Sequence, residues 1–140
     1  MAQYTQICSE CGATGIVNYC QHLIGGELLW SGQSTCESCG ANIEFDDRGD
    51  LPEELKPAIL AEEGEWQLVL DDRNDLVPAL RVIRERLQVS LQESKAILND
   101  LRGTKTTLAW IQDGLRQVNL SSTLVSCSRA GNIGEMGQGQ

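Results

Sequence analysis

Aromatic residues are scarce in this 140-residue chain, which has one Phe, two Tyr and three Trp. That leaves few rings on which unpaired bases could stack, as single-stranded nucleic-acid binders require. Bases are also short. Eleven Lys and Arg stand against 20 Asp and Glu, giving a formal net charge of -9 and a pI near 4.5. Nonspecific binding to nucleic acid or to an anionic membrane needs the opposite balance, so a basic or neutral partner fits better. His22 is the only histidine, and one imidazole without a partner does not make a catalytic site. No nucleophile motif or phosphate loop is present either, which disfavours an enzyme. No apolar run approaches the roughly 20 residues needed to span a bilayer, and Met1 to Thr5 lacks a basic segment leading into an apolar stretch. A cytoplasmic protein is expected.

The acidity is unevenly placed. Residues 1–50 carry a net -6, residues 51–74 a net -5, and residues 75–140 a net +2. Two modules with different surface chemistry are expected.

Cysteine, in contrast, is plentiful, with six residues. Four fall in two near copies, Cys8-Ser9-Glu10-Cys11-Gly12 and Cys36-Glu37-Ser38-Cys39-Gly40. In a chain without an export signal, paired Cys-x-x-Cys motifs read as metal ligands rather than disulfides. Each motif can form a tight turn that aims two sulfurs at one point, with Gly supplying backbone freedom beyond the second ligand. Two such turns complete a tetrahedral four-sulfur site, which favours one structural zinc ion and leaves no open position for water. Here the sequence resembles the zinc-ribbon family over residues 1 to about 49. Gly15–Leu23, Glu27–Thr35 and Ala41–Asp46 are β-compatible stretches, consistent with a small three-stranded ribbon. So few large apolar side chains bury little surface, so metal is expected to supply much of the stability. Cys20 and His22, two apart on a strand, share a face and form a less favoured alternative ligand set.

Residues 50–64 read as a linking helix. Asp50 is its expected N-cap, with Glu53 in reciprocal position, and Leu55, Ile59 and Leu60 form its apolar side. A second module follows over residues 65–126. Glu65–Leu70 reads as a strand, and Leu76, Leu80, Ile83 and Leu87 recur at helical spacing. Ser90 and Glu93 form a capping box for a helix with Leu91, Ile97, Leu98 and Leu101 inward. A third helix from about Lys105 to Val118 has the stripe Leu108, Ile111, Leu115 and Val118. Asn119 can then turn the chain through a left-handed conformation into a strand over Leu120–Ser126. The class is α+β, and the second domain runs strand, helix, helix, helix, strand, with room for a short strand before the last helix. Residues 127–140, rich in Gly, read as a flexible tail beginning at Cys127.

This order, and the wording of Ala79-Leu80-Arg81-Val82-Ile83-Arg84 through Leu91-Gln92-Glu93-Ser94-Lys95, is similar to the C-terminal domain of the bacterial ribosomal stalk protein. The resemblance implies a helical hairpin whose basic positions, here Arg81, Arg84 and Lys95, contact translational GTPases. The chain departs from that family at Gln88-Val89-Ser90, which replaces a Gly-rich turn, and at the shortened Arg102-Gly103-Thr104.

A zinc ribbon joined to a stalk-like domain resembles small immunity proteins encoded beside bacterial polymorphic toxins. The resemblance implies a protein that binds and neutralises a cognate toxin without chemistry of its own. The acidic half, densest at Glu44, Asp46, Asp47 and Asp50, could steer a basic toxin domain. The alternative is a ribosome or translation accessory factor that binds a GTPase through Arg81, Arg84 and Lys95, or RNA through the ribbon. Trp110 lies beside the apolar stripe of its helix and lines up with Gly114, so it is either an interface anchor or a packed ring.

Overall fold

A computed structural model describes residues 2–127. The chain divides between Glu62 and Glu63 into two compact units, and its fold is mixed α+β with two small antiparallel sheets. No described helix is long and apolar enough to cross a membrane.

The first unit is a four-stranded meander, β1 (Ala2–Ile7), β2 (Thr14–Ile24), β3 (Glu27–Thr35) and β4 (Asn42–Arg48), paired in that order. The three strands read from the sequence are present within one or two residues, but the sheet has an additional edge strand. Ala2–Ile7 pairs with β2 over its whole length and exposes most of its side chains. Its Gln and Thr residues therefore give little apolar alternation to read. Gly25 and Gly26 both take positive φ, 59° and 82°, the conformation that a two-residue hairpin between right-twisted strands requires.

Residues 50–62 fall within the first unit. Leu51, Leu55 and Ile59 are buried with Ala2, Val17 and Tyr19 against one face of the sheet, and Tyr4, Trp30 and Phe45 pack around them. The Tyr19 hydroxyl donates to the Leu55 carbonyl, tying helix to strand. The cap also differs from expectation. Asp50 accepts from the next amide, Leu51, and its other oxygen lies 3.2 Å from the Lys56 ammonium. Pro52 occupies the cap position of a single 3-10 turn, Glu53–Leu55, which leads into α1 (Lys56–Glu63). Lys56 also bonds the Glu53 carboxylate at 2.9 Å, so one ammonium bridges Asp50 and Glu53.

Gly32 lies opposite Phe45 in this sheet. A β-carbon there would sit 2.8 Å from Tyr19 Cβ and closer still to the Asn18 carbonyl and the Phe45 ring. Gly32→Ala is therefore expected to destabilise the first unit by about 1–3 kcal/mol through overpacking. Urea unfolding followed by Trp fluorescence would check this.

The second unit runs β5 (Trp66–Leu70), α2 (Val77–Leu87), α3 (Leu91–Asn99), β6 (Arg102–Gly103), α4 (Lys105–Gln117) and β7 (Ser122–Ser126), with sheet order β6-β5-β7. Leu68, Leu70, Ile83, Leu98, Leu108, Ile111 and Leu115 are buried in its core. The capping box at α3 is complete, as Ser90 Oγ accepts from the Glu93 amide and Glu93 accepts from the Ser90 amide. Those bonds hold the Glu93 carboxyl below its ordinary pKa. Leu91, expected inward, is 45% exposed, and Val118 is also exposed, because each sits at a helix end where the chain turns away from the core. Gln88 takes φ 57° and Asn119 φ 63°. At the first of these a side-chain-bearing residue occupies the left-handed conformation that glycine adopts most easily.

Cys127 belongs to the end of this unit rather than to a tail, since its amide donates to the Glu65 carbonyl at 2.8 Å. Burial raises the pKa of its thiol. The Gly-rich stretch 128–140 lies outside the described residues.

Candidate metal centre

The two Cys-x-x-Cys-Gly turns have the same backbone geometry. Cys8 N–H donates to the Ala13 carbonyl and Gly12 N–H to the Cys8 carbonyl, at 2.7 and 2.9 Å. Cys36 to Ala41 and Gly40 to Cys36 repeat the pattern at 2.9 and 2.8 Å. Gly12 and Gly40 take φ 77° and 78°, so each turn closes through a left-handed residue that carries no β-carbon. One turn joins β1 to β2 and the other joins β3 to β4. The antiparallel meander brings both to the same end of the sheet.

There the four sulfurs of Cys8, Cys11, Cys36 and Cys39 lie within 4.8 Å of one another. The Cys8–Cys39 and Cys11–Cys36 separations are 3.7 and 3.5 Å, near the roughly 3.8 Å between sulfurs that share one tetrahedral ion at ordinary metal–sulfur lengths. The free cysteines make no disulfide among the described residues. This is a possible metal site built entirely from thiols, and both pairs of ligands come from the spacing legible in the sequence.

The electrostatics of the cluster follow from its amides. The Cys39 amide, with further bonds from Cys11 and the Ser38 amide, brings the Cys36 thiol down to about 7 against the opposing effect of burial. At Cys39 the Ala41 amide pulls downward, but burial and the neighbouring cysteines outweigh it and push the thiol to about 12. Cys11 is likewise held up, its Ala13 amide outweighed by Cys36 and burial. In the metal-free cluster the four thiols titrate as one coupled set and retain protons at neutral pH. Loading an ion must expel the remaining thiol protons, because the ligands are thiolates. Apparent metal affinity is therefore expected to fall by roughly tenfold or more for each pH unit lost below neutrality, which competition with a chelating dye would measure.

The candidate partner-binding residues separate. Strand alternation puts Glu44 and Asp46 on the sheet face opposite the α1 core, in register with Gln33 and Ser31. They line an open groove of about 610 Å³ with Asn18, Ser31 and Gln33. Asp47, in register with Trp30, belongs to the other face, and Asp50 is paired with Lys56. The four acids are not one patch. Arg81, Arg84 and Lys95 do come together, around an apolar groove on the α2–α3 hairpin lined by Val77, Leu80 and Leu91.

Trp110 is only 9% exposed, with the Arg86 guanidinium 5.3 Å from its ring centre. Arg86 also lies 3.8 Å from Asp113. The space at Gly114 is taken by Val82 and Arg86, since a β-carbon there would meet them at 2.8 and 2.9 Å. Trp110 is a packed ring between α2 and α4, not an exposed anchor. Sequence reasoning left out Ser31, whose Oγ lies 2.9 Å from His22 Nε2. Only the strand register could have shown that pairing.

Comparison of the chain with family models, with curated proteins and with solved structures finds no match.

Proposed function

We propose that the chain is a non-catalytic, zinc-stapled binding module that acts as an immunity protein, neutralising a bacterial toxin by covering a basic surface of it. The ion would be zinc, because four thiols within 4.8 Å of one another suit, once ionised, a soft-ligand ion and would leave no position for substrate. The observation that carries the reading is the open sheet face of the first unit. Glu44 and Asp46 project there beside the hydrogen-bonding side chains of Asn18, Ser31 and Gln33, a surface that can meet cations and amides while steering their approach.

The test is co-expression with the product of any toxic gene encoded beside this one. Growth should be rescued by the native chain and lost with the Glu44→Lys, Asp46→Lys double variant. The association rate of the purified pair should fall steeply as salt rises. Rescue by the double variant equal to that of the native chain would count against the acidic face as the binding surface.

The basic, apolar hairpin groove formed by Arg81, Arg84, Lys95 and Leu91 favours a second reading, a translation accessory factor docking an acidic GTPase surface. Capture of such a GTPase by the native chain, lost on Arg84→Glu, would select it.

A further inference from the structure

The open face of the first unit's sheet carries a second group of metal-binding side chains, separate from the four-cysteine cluster. Alternation along β2 sends Cys20 and His22 to that face, opposite to Val17 and Tyr19, which are buried in the core. Cys20 Sγ lies 3.4 Å from His22 Nε2, and Ser31 Oγ, from the residue directly across from Cys20 in β3, lies 2.9 Å from the same nitrogen. Both Cys20 and His22 are partly exposed. Three donor atoms of three kinds therefore converge from two adjacent strands.

The spacing of the Cys20 and His22 donors suits two ligands of one ion. At ordinary zinc–sulfur and zinc–nitrogen lengths, a separation of 3.4 Å corresponds to an S–Zn–N angle of about 103°, close to the tetrahedral angle of about 109°. An access route is present. His22 and Ser31 line an open groove of about 540 Å³ whose other walls include Glu27, Asp46, Asp47 and Arg48; Arg48 lies 3.8 Å from Glu27, and the three carboxylates outnumber it and draw cations to the groove.

We propose that Cys20 and His22 form a second, exchangeable site for a thiophilic divalent ion such as zinc, with the Ser31 hydroxyl beside it. On binding, the Cys20 thiol gives its proton to solvent and the neutral imidazole contributes the Nε2 lone pair. With two strong protein donors the ion keeps outward positions for water or for a ligand from solution, unlike an ion enclosed by four thiolates. The site is thus reversible where the four-cysteine centre is closed.

Zinc titration of the full, reduced chain against a competing chelator tests the proposal. The native protein should take up about two equivalents, and Cys20→Ser and His22→Gln about one each, retaining the tighter one. A native chain that saturates at one equivalent, or a Cys20→Ser chain that still takes two, would overturn it. A measurement on the native protein alone guards against misfolded variants. Zinc added beyond the first equivalent should slow alkylation of Cys20 by N-ethylmaleimide, followed by peptide mass, by about tenfold or more. An alkylation rate unchanged by excess zinc would show that the 3.4 Å contact is a thiol–imidazole hydrogen bond and nothing more.

Discussion

Cys36→Ser is expected to reduce metal retained after dialysis from one tightly held equivalent to almost none, and to loosen the first unit while sparing the second. Cys36 is the buried member of the cluster, and hydrogen bonds from the Cys39 and Ser38 amides lower the pKa of its thiol. A serine hydroxyl at that point cannot replace a thiolate ligand. The two units have separate cores, so the loss should be local. Hydrogen exchange would show it, with amide protection falling in β1 to β4 near the turns and persisting in β5, α2 and α4. The effect should stop short of complete unfolding of the first unit, because Tyr19, Leu51, Leu55 and Ile59 form a core on the sheet face that does not involve the sulfurs. Equal loss of protection in both units would contradict this division.

Trp110→Ala is expected to destabilise the second unit by about 3–5 kcal/mol, the range for deleting a large buried ring. The ring is buried under Arg86 of α2, and its removal strips Arg86 of the face it lies over. Arg86 keeps Asp113 nearby, so the charge is not left unpaired and the loss is mainly one of packing. Denaturant unfolding should show a lower midpoint for the second unit alone. A variant that unfolds like the parent but no longer binds its partner would place the indole at an interface instead.

The parts of this fold that were legible in advance are those set by local chemistry. The twin Cys-x-x-Cys-Gly turns, the Ser90–Glu93 box and the left-handed Asn119 each depend on residues within a few positions of one another. Features decided by distant partners were not legible. The helix beginning near Pro52 became part of the first unit because Tyr19, far along the chain, offers it a hydrogen bond and an apolar wall. The first strand was hidden by its polar edge composition. The acidic residues were close in sequence, but β alternation sends Glu44 and Asp46 to one face and Asp47 to the other, so proximity along a strand was a poor guide to a shared surface. Arg81, Arg84 and Lys95 fared better, since a helical hairpin brings those positions to one groove. Trp110 was ambiguous because the residue that covers it, Arg86, is charged and gives no apolar signal.

X-ray absorption at the zinc edge, on native protein dialysed to its tightly bound metal, tests the central claim most directly. The account predicts one zinc per chain with a single shell of four sulfur atoms at about 2.3 Å and no nitrogen or oxygen neighbour. A shell containing imidazole nitrogen, or native protein that retains no metal after dialysis, would contradict it.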